Sequence, residues 1–423
     1  MNIENTLKWI RETSPSDLPY DVKGIGWGPK TVNGVETDQY CVVFTVTKKQ
    51  PSHLVLNQQL IPKKLNIRGS DVITDVIEST LIQKLVTPSC HVGYNTTNPP
   101  EPIASNRKKY RPLKGGVSSI HFGGTDATLG MLVRDKTDDQ IVALSNNHVY
   151  AGSQLVVDFR MANQGNVTNL YSLSSSQPGG YQYNPYASTN QTVDYIGTCK
   201  RAALVGDVNN QPDTSGALVT SCDAAILSLR DYTLINNSSA NVLNFSKLAP
   251  YVFATDSEID SLLNPTSVNY RSPVFRSGRT LGPVGKPGYS ASCTLSVYNF
   301  NTAYVGPYST KNSYFYNCFS VRGNVAGGAG GDSGSILFAL LSSTVPSASA
   351  WKVIGLLFSG PADSSYTTGA RITTVAQRLD IEPWDFNTTP IPTTLFSHPT
   401  YARLHQTTNT VELSGRTFFQ VGF

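Results

Sequence analysis

Short apolar runs, broken at close intervals by glycine, proline and small polar clusters, recur along most of this chain. Runs of that length rich in β-branched and aromatic residues predict strands, because a helix needs a longer stretch with a period near 3.6. The segments CVVFTVT at 41–47 and VITDVIE at 72–78 are of this kind, as is the run at 353–358. Residues 131–134 and 141–144 flank the polar segment Asp135-Lys-Thr-Asp-Asp139 and predict a hairpin. Helical spacing is confined to a few places. Ile3, Leu7 and Ile10 share one face of a short N-terminal helix. Thr255 and Glu258 form a capping-box pattern ahead of a helix ending near Pro265, and another short helix is expected around 375–379. The segment 164–191, rich in Ser, Asn, Gln, Tyr and Gly, reads as a long loop.

Composition sharpens this picture. A chain of 423 residues is long enough for two or three domains. Charged residues make up only 15%, while 34 Gly, 25 Pro and 21 Tyr favour many strands joined by turns over a helical protein. The patterning divides the chain into a small N-terminal α/β domain (1–105), a basic linker (106–116), a β-rich domain (117–388) and a tail (389–423). The linker follows Asn98-Pro-Pro-Glu-Pro102 and carries Arg107-Lys-Lys-Tyr-Arg111-Pro112, which reads as a solvated tether.

A net charge of +4 without a basic stripe of interleaved aromatics argues against a nucleic-acid partner. No window approaches the roughly 18 apolar residues of a spanning helix, and MNIENTLKWIRET lacks the apolar core of a signal peptide. No membrane partner is therefore expected. The cysteines Cys41, Cys90, Cys199, Cys222, Cys293 and Cys318 lack a framework-like spacing, which fits free thiols in the cytoplasm.

Candidate chemistry concentrates in Gly327-Gly-Ala-Gly-Gly-Asp-Ser333-Gly-Ser335. Backbone so bare of side chains can turn sharply and aim consecutive N–H groups at one point. An acyl-transfer site needs that arrangement around a nucleophilic serine. A serine needs a base, and His148 ends an apolar strand in Leu144-Ser-Asn-Asn-His148, which sets it at a cleft rim. His53, His91, His121, His398 and His405 lie in less defined settings. The base needs an orienting carboxylate, and Asp223 leads the apolar strand Asp223-Ala-Ala-Ile-Leu, where an ionised group requires a partner. Asp194, in Thr192-Val-Asp-Tyr-Ile196, is its rival. No Cys or His pair has metal-ligand spacing, and the glycine run lacks the Lys-Ser/Thr of a phosphate loop. Neither a metal nor a cofactor is expected.

Ser-Asn-Asn-His148-Val149, Asp223-Ala-Ala-Ile-Leu and Gly331-Asp332-Ser333-Gly334 follow one another in the order His, Asp, Ser. In this the chain resembles the trypsin-like serine proteases of chymotrypsin fold. More specifically it resembles the plant narrow-leaf proteins and their bacterial relatives, through Gly24-Ile-Gly26-Trp-Gly28, the strand at 42–47 and Thr74-Asp75-Val76. The resemblance spans about residues 20–385. It implies a chymotrypsin-like double β-barrel with Ser333 as nucleophile, His148 as general base and then acid, and Asp223 as orienting carboxylate. It also implies an oxyanion hole from the N–H groups of Gly331 and Ser333. Gly327 would form the base of the specificity pocket, and Phe358, Ser359 and Gly360 would belong to the strand that pairs with substrate backbone.

Val149 and Ala329 stand where secreted relatives carry cysteines. There is no Ile-Val-Gly-Gly start whose freed amine could pair with Asp332, so the hole is expected to form without N-terminal cleavage. The expected protein is a mainly β serine endopeptidase acting on a protein or peptide substrate, with self-association suggested by its extra domain and tail. A catalytically silent interaction protein, an esterase and a self-processing protease stay open as alternatives, because a fold does not fix a function.

Overall fold

The computed structural model describes residues 3–13, 17–19, 21–78, 82–84, 106–121, 126–153, 174–177, 194–208, 217–236, 242–245, 252–284, 295–308, 311–323, 328–341, 351–361, 366–385, 391, 402–404, 410–413 and 416–420. It is mainly β. An N-terminal helix (Ile3–Glu12) precedes two hairpins, β1 (Val22–Val32) with β2 (Val35–Val46) and β3 (Lys64–Ile67) with β4 (Ser70–Glu78). Next come β5 (Ile82–Lys84), β6 (Val117–His121), β7 (Ala127–Leu129), β8 (Met131–Asp135), β9 (Ile141–Ser145), β10 (Ser174–Ser176) and β11 (Tyr195–Ala202). These are followed by β12 (Ala217–Thr220), β13 (Ala225–Leu229), β14 (Val252–Phe253), β15 (Pro273–Gly278), β16 (Gly282–Val284), β17 (Leu295–Tyr308) and β18 (Lys311–Gly323). The last are β19 (Ile336–Leu340), β20 (Trp351–Pro361), β21 (Thr367–Arg371) and β22 (Ile381–Pro383), with a separate three-stranded sheet of Ala402–Leu404, Thr410–Leu413 and Arg416–Gln420.

One sheet closes on itself. β15, β17, β18, β21, β20 and β19 pair in that order, each antiparallel to the next, and β19 returns to β15. The result is a six-stranded antiparallel barrel. The N-terminal strands extend it, because β1 pairs with β17 from Gly24↔Ala303 to Trp27↔Phe300, and β2 and β4 continue outward. A second sheet runs β22–β8–β9–β13–β11–β10–β6–β7.

Period-two alternation explains how the two sheets share material. In β8 and β9, Met131, Val133, Val142 and Leu144 enter the larger hydrophobic core. Their neighbours Leu132, Ile141 and Ala143 face the smaller one, with Leu129, Ile196, Leu227, Leu229 and Trp384. The β8–β9 hairpin expected from sequence is thus a wall between two cores, paired from Met131↔Leu144 to Arg134↔Ile141.

Other expectations meet the structure directly. Leu7 and Ile10 are buried, with Ile3 packed beside them. Thr255 and Glu258 exchange both bonds of a capping box ahead of the helix Asp256–Ser261, and a second helix spans Ile372–Leu379. Two expectations need correction. The segment 164–191 is not loop throughout, since Ser174–Ser176 is a strand between β6 and β11. The basic stretch is not a free tether, although Lys108 and Lys109 stay exposed. Arg107 is buried, Lys109 Nζ lies 3.0 Å from Asp194 Oδ1, Arg111 Nη1 donates to Gln177 Oε1 at 2.7 Å, and Leu113 N–H donates to Leu234 O at 2.7 Å. Buried acceptors need donors, and this segment supplies them.

Among the described residues no helix is long and apolar enough to cross a membrane. Cys41, Cys199, Cys222 and Cys318 are buried free thiols, while Cys90 and Cys293 lie outside the described residues. Burial pushes the Cys199 and Cys318 thiols up to about 12, well away from the thiolate that reacts. Iodoacetamide should leave these four unmodified in the native protein and alkylate all of them after denaturation. Native-state modification at any one, read by peptide mass spectrometry, would show that its part of the core opens.

Candidate active site

The meeting of His148 and Asp223 follows from strand register. β9 and β13 are antiparallel neighbours with Ser145 opposite Ala225. His148 comes three residues after Ser145 and Asp223 two before Ala225, so both leave the same end of this strand pair. There the chain turns into the short helix Asn147–Tyr150. Asn146 Nδ2 donates to the Asp223 carbonyl at 2.6 Å, and Asn147 Nδ2 donates to the Ala203 carbonyl at 2.8 Å.

Residue His148 is held by both oxygens of one carboxylate, one on the ring and one on the backbone. His148 Nδ1 lies 2.5 Å from Asp223 Oδ2, and the His148 backbone N–H donates to Oδ1 at 3.2 Å. The Asp223 side chain is wholly buried and that of His148 is 3% exposed. A carboxylate only accepts, so Nδ1 carries a proton, and in the neutral imidazole the basic lone pair is then on Nε2. That is the tautomer a general base requires. The rival Asp194 is engaged elsewhere, by Lys109. His121 sits nearby with Nδ1 donating to Val149 O at 2.7 Å, and burial, with the neighbouring His148, holds its pKa down.

The serine loop is clasped on two sides. Thr128 N–H donates to Ser333 O at 2.9 Å, and Thr128 Oγ1 donates to Gly331 O at 2.8 Å. Thr280 Oγ1 donates to Gly330 O at 2.5 Å. Two glycines are obligatory here. Gly331 has φ +92° with Thr280 Oγ1 2.6 Å from where a Cβ would stand. Gly334 has φ +88°, and a Cβ there would come within 2.1 Å of Ser145 Oγ. That last contact brings the Ser333 loop against the end of β9, three residues before His148.

Asp332 turns inward. Its Oδ1 accepts from Thr280 N–H at 2.8 Å and from Leu281 N–H at 3.2 Å, and its Oδ2 accepts from Ala329 N–H at 3.1 Å. Arg276 Nη2, on β15, lies 3.2 Å from Oδ2, and both side chains are fully buried. Gly278 leaves the space, since a Cβ there would stand 2.5 Å from Asp332 Oδ1 and 3.0 Å from Arg276 Nη1. An internal guanidinium thus meets the carboxylate for which no freed N-terminal amine was expected.

Phe358, Ser359 and Gly360 lie buried in β20, and Gly327 is outside the described residues. Nothing local in the sequence marks Thr128 or Thr280. Arg276 did leave a signal: it shares strand parity with buried Val274, so a charge falls on a core-facing position. Among the described residues, no group of three His, Cys, Asp or Glu side chains could hold a metal ion. No protein-family model matches the chain, and no curated protein matches it.

Removing one member of a buried pair leaves the other charge uncompensated. Arg276→Met should lower stability by about 3–5 kcal/mol, measured by urea unfolding. The double variant with Asp332→Asn should cost clearly less than the two single losses summed. Simple additivity would mean that the two residues are not coupled.

Proposed function

We propose that this protein is a serine endopeptidase in which Ser333 is the nucleophile, His148 the general base and then acid, and Asp223 the carboxylate that orients it. The observation that carries this reading is the buried Asp223–His148 pair, held in the basic tautomer at the end of β9 against which the Ser333 loop packs. Ser333 Oγ attacks a peptide carbonyl while its proton passes to His148 Nε2. The resulting oxyanion is met by the N–H groups of Gly331 and Ser333. Collapse expels the amine, which takes the proton from His148, and water then releases the acyl group by the same steps.

In this reading the fold is a chymotrypsin-like double barrel with the N-terminal strands added to its second half. Beside the closed barrel, the other sheet supports a second ring. β7 and β8 are one strand interrupted at Gly130, whose N–H donates to Leu144 O at 2.9 Å. Through that strand the ladder β6–β10–β11–β13–β9–β8 comes back, by β7, to β6. Four buried free thiols fit a reducing compartment, and we place the enzyme in the cytoplasm on that account.

A fluorophosphonate probe should label the wild-type protein at Ser333 and fail on Ser333→Ala. Asp223→Asn should leave the fold intact and reduce kcat on the order of 10⁴-fold by favouring the wrong tautomer. Labelling that persists in Ser333→Ala would remove the nucleophile assignment. Labelling at Ser333 with no cleavage across a broad peptide library would favour a silent interaction protein.

A further inference from the structure

Residues Ile82–Lys84 lie on the strand expected to receive substrate. β20 pairs with β19 only from Trp351 to Leu356. β19 begins at Ile336, because the chain before it turns through the Ser333 loop. Leu357 is the crossover point. Its N–H donates to Ser335 O at 2.9 Å and its carbonyl accepts from Gly334 N–H at 2.9 Å, directly beside the nucleophile. Beyond it β20 has β21 on one side, with Ser359 opposite Thr368, and no β19 on the other. That edge is taken by β5, in the antiparallel register Ser359↔Lys84, Gly360↔Gln83 and Pro361↔Ile82. On its far side Ile82 bridges Val305 of β17.

With extended substrate expected to pair along the β20 edge beside Ser333, we propose that the chain's own Ile82–Lys84 is the resident occupant of that edge, which a substrate must displace. The proposal rests on the endopeptidase reading. Its basis is polarity and position. An antiparallel strand on this edge runs towards Leu357 at its C-terminal end, so it delivers that end to the Ser333 loop. Lys84, opposite Ser359, is two residues along β20 from Leu357, with the register shift of β20 against β21 between them. The scissile carbonyl of a peptide paired on the same edge must arrive from that direction. Main-chain pairing carries such binding and is indifferent to most side chains, so one of the chain's own segments can fill the site. A three-residue ladder is short enough to exchange.

Tethering sets the strength of this competition. A segment on the same chain acts at an effective concentration in the millimolar range, and substrate binds only the fraction of molecules whose edge is open. Gln83→Pro and Lys84→Pro each remove a backbone donor and disfavour the paired conformation. Either should lower KM for a peptide substrate about tenfold while kcat stays within about twofold, as expected when binding alone changes. Fluorophosphonate labelling of Ser333, which needs no strand pairing, should be unchanged. A synthetic peptide of residues 79–87 should inhibit the Pro variants competitively and the wild type far less. The proposal is overturned if KM stays unchanged while labelling is intact, or if the peptide inhibits variants and wild type alike. It is also overturned if the wild-type chain, but not Ser333→Ala, is cut within this segment, since the edge would then hold a processing site. Absence of Ser333 labelling in every protein would instead remove the endopeptidase reading beneath it.

Discussion

A carboxylate with no exposed surface must be satisfied from within, and Asp332 is such a group. Three backbone N–H groups and the Arg276 guanidinium converge on its two oxygens. Those donors come from β15, from the segment after it and from the loop itself, so the loop can take only a conformation that keeps all of them. The residues on either side of Asp332, Gly331 and Ser333, are the ones whose N–H groups would form an oxyanion hole. Preorganised donors cost no rearrangement when charge develops. A buried ion pair is weak support for stability in itself, but here it fixes geometry. In the endopeptidase reading, the cation that readies the loop is part of the strand framework, and no cleavage is needed to supply it.

The second constraint is the wall formed by β8 and β9. Alternating side chains send Val133, Val142 and Leu144 to one core and Leu132, Ile141 and Ala143 to the other. A slip of one residue in this hairpin would exchange the two sets, so its register is strongly determined. His148 follows the end of β9, and Asp223 precedes the strand paired with it. The same registration that fills the cores therefore sets the imidazole against its carboxylate. Gly334 then has to fit against Ser145 at the same strand end.

Local order was legible in the sequence because local rules produce it. The β8–β9 hairpin, the Thr255–Glu258 capping box and the Leu7–Ile10 helix face each depend on residues a few positions apart. His148 and Asp223 were legible because a polar group at the end of an apolar strand must be compensated. Sequence could rank Asp223 over Asp194 but not say where Asp194 would go. Its partner Lys109 lies in the basic stretch, and nothing local indicates that this stretch folds inward. Arg276 had a readable parity, yet its partner is 56 positions away, and only barrel closure brings the two together. The pairing of β5 with β20 is less legible still, since it joins residues 82–84 to 359–361 through backbone groups that every residue carries.

An open strand edge next to a nucleophile poses two problems at once. Its unpaired N–H and C=O groups invite pairing with any extended chain, and in this reading the same groups must remain available to substrate. Covering the edge permanently, as β19 covers the first half of β20, would abolish binding. Leaving it bare would expose an aggregation-prone template. A three-residue occupant resolves the conflict, because it satisfies the edge with few bonds and can be replaced by a longer peptide that makes more of them. It begins four positions after β4 ends, and the barrel wall at Val305 holds its other side. In the endopeptidase reading the two devices divide the labour: Arg276 holds the serine loop in one conformation, while β5 would control access to the edge beside it.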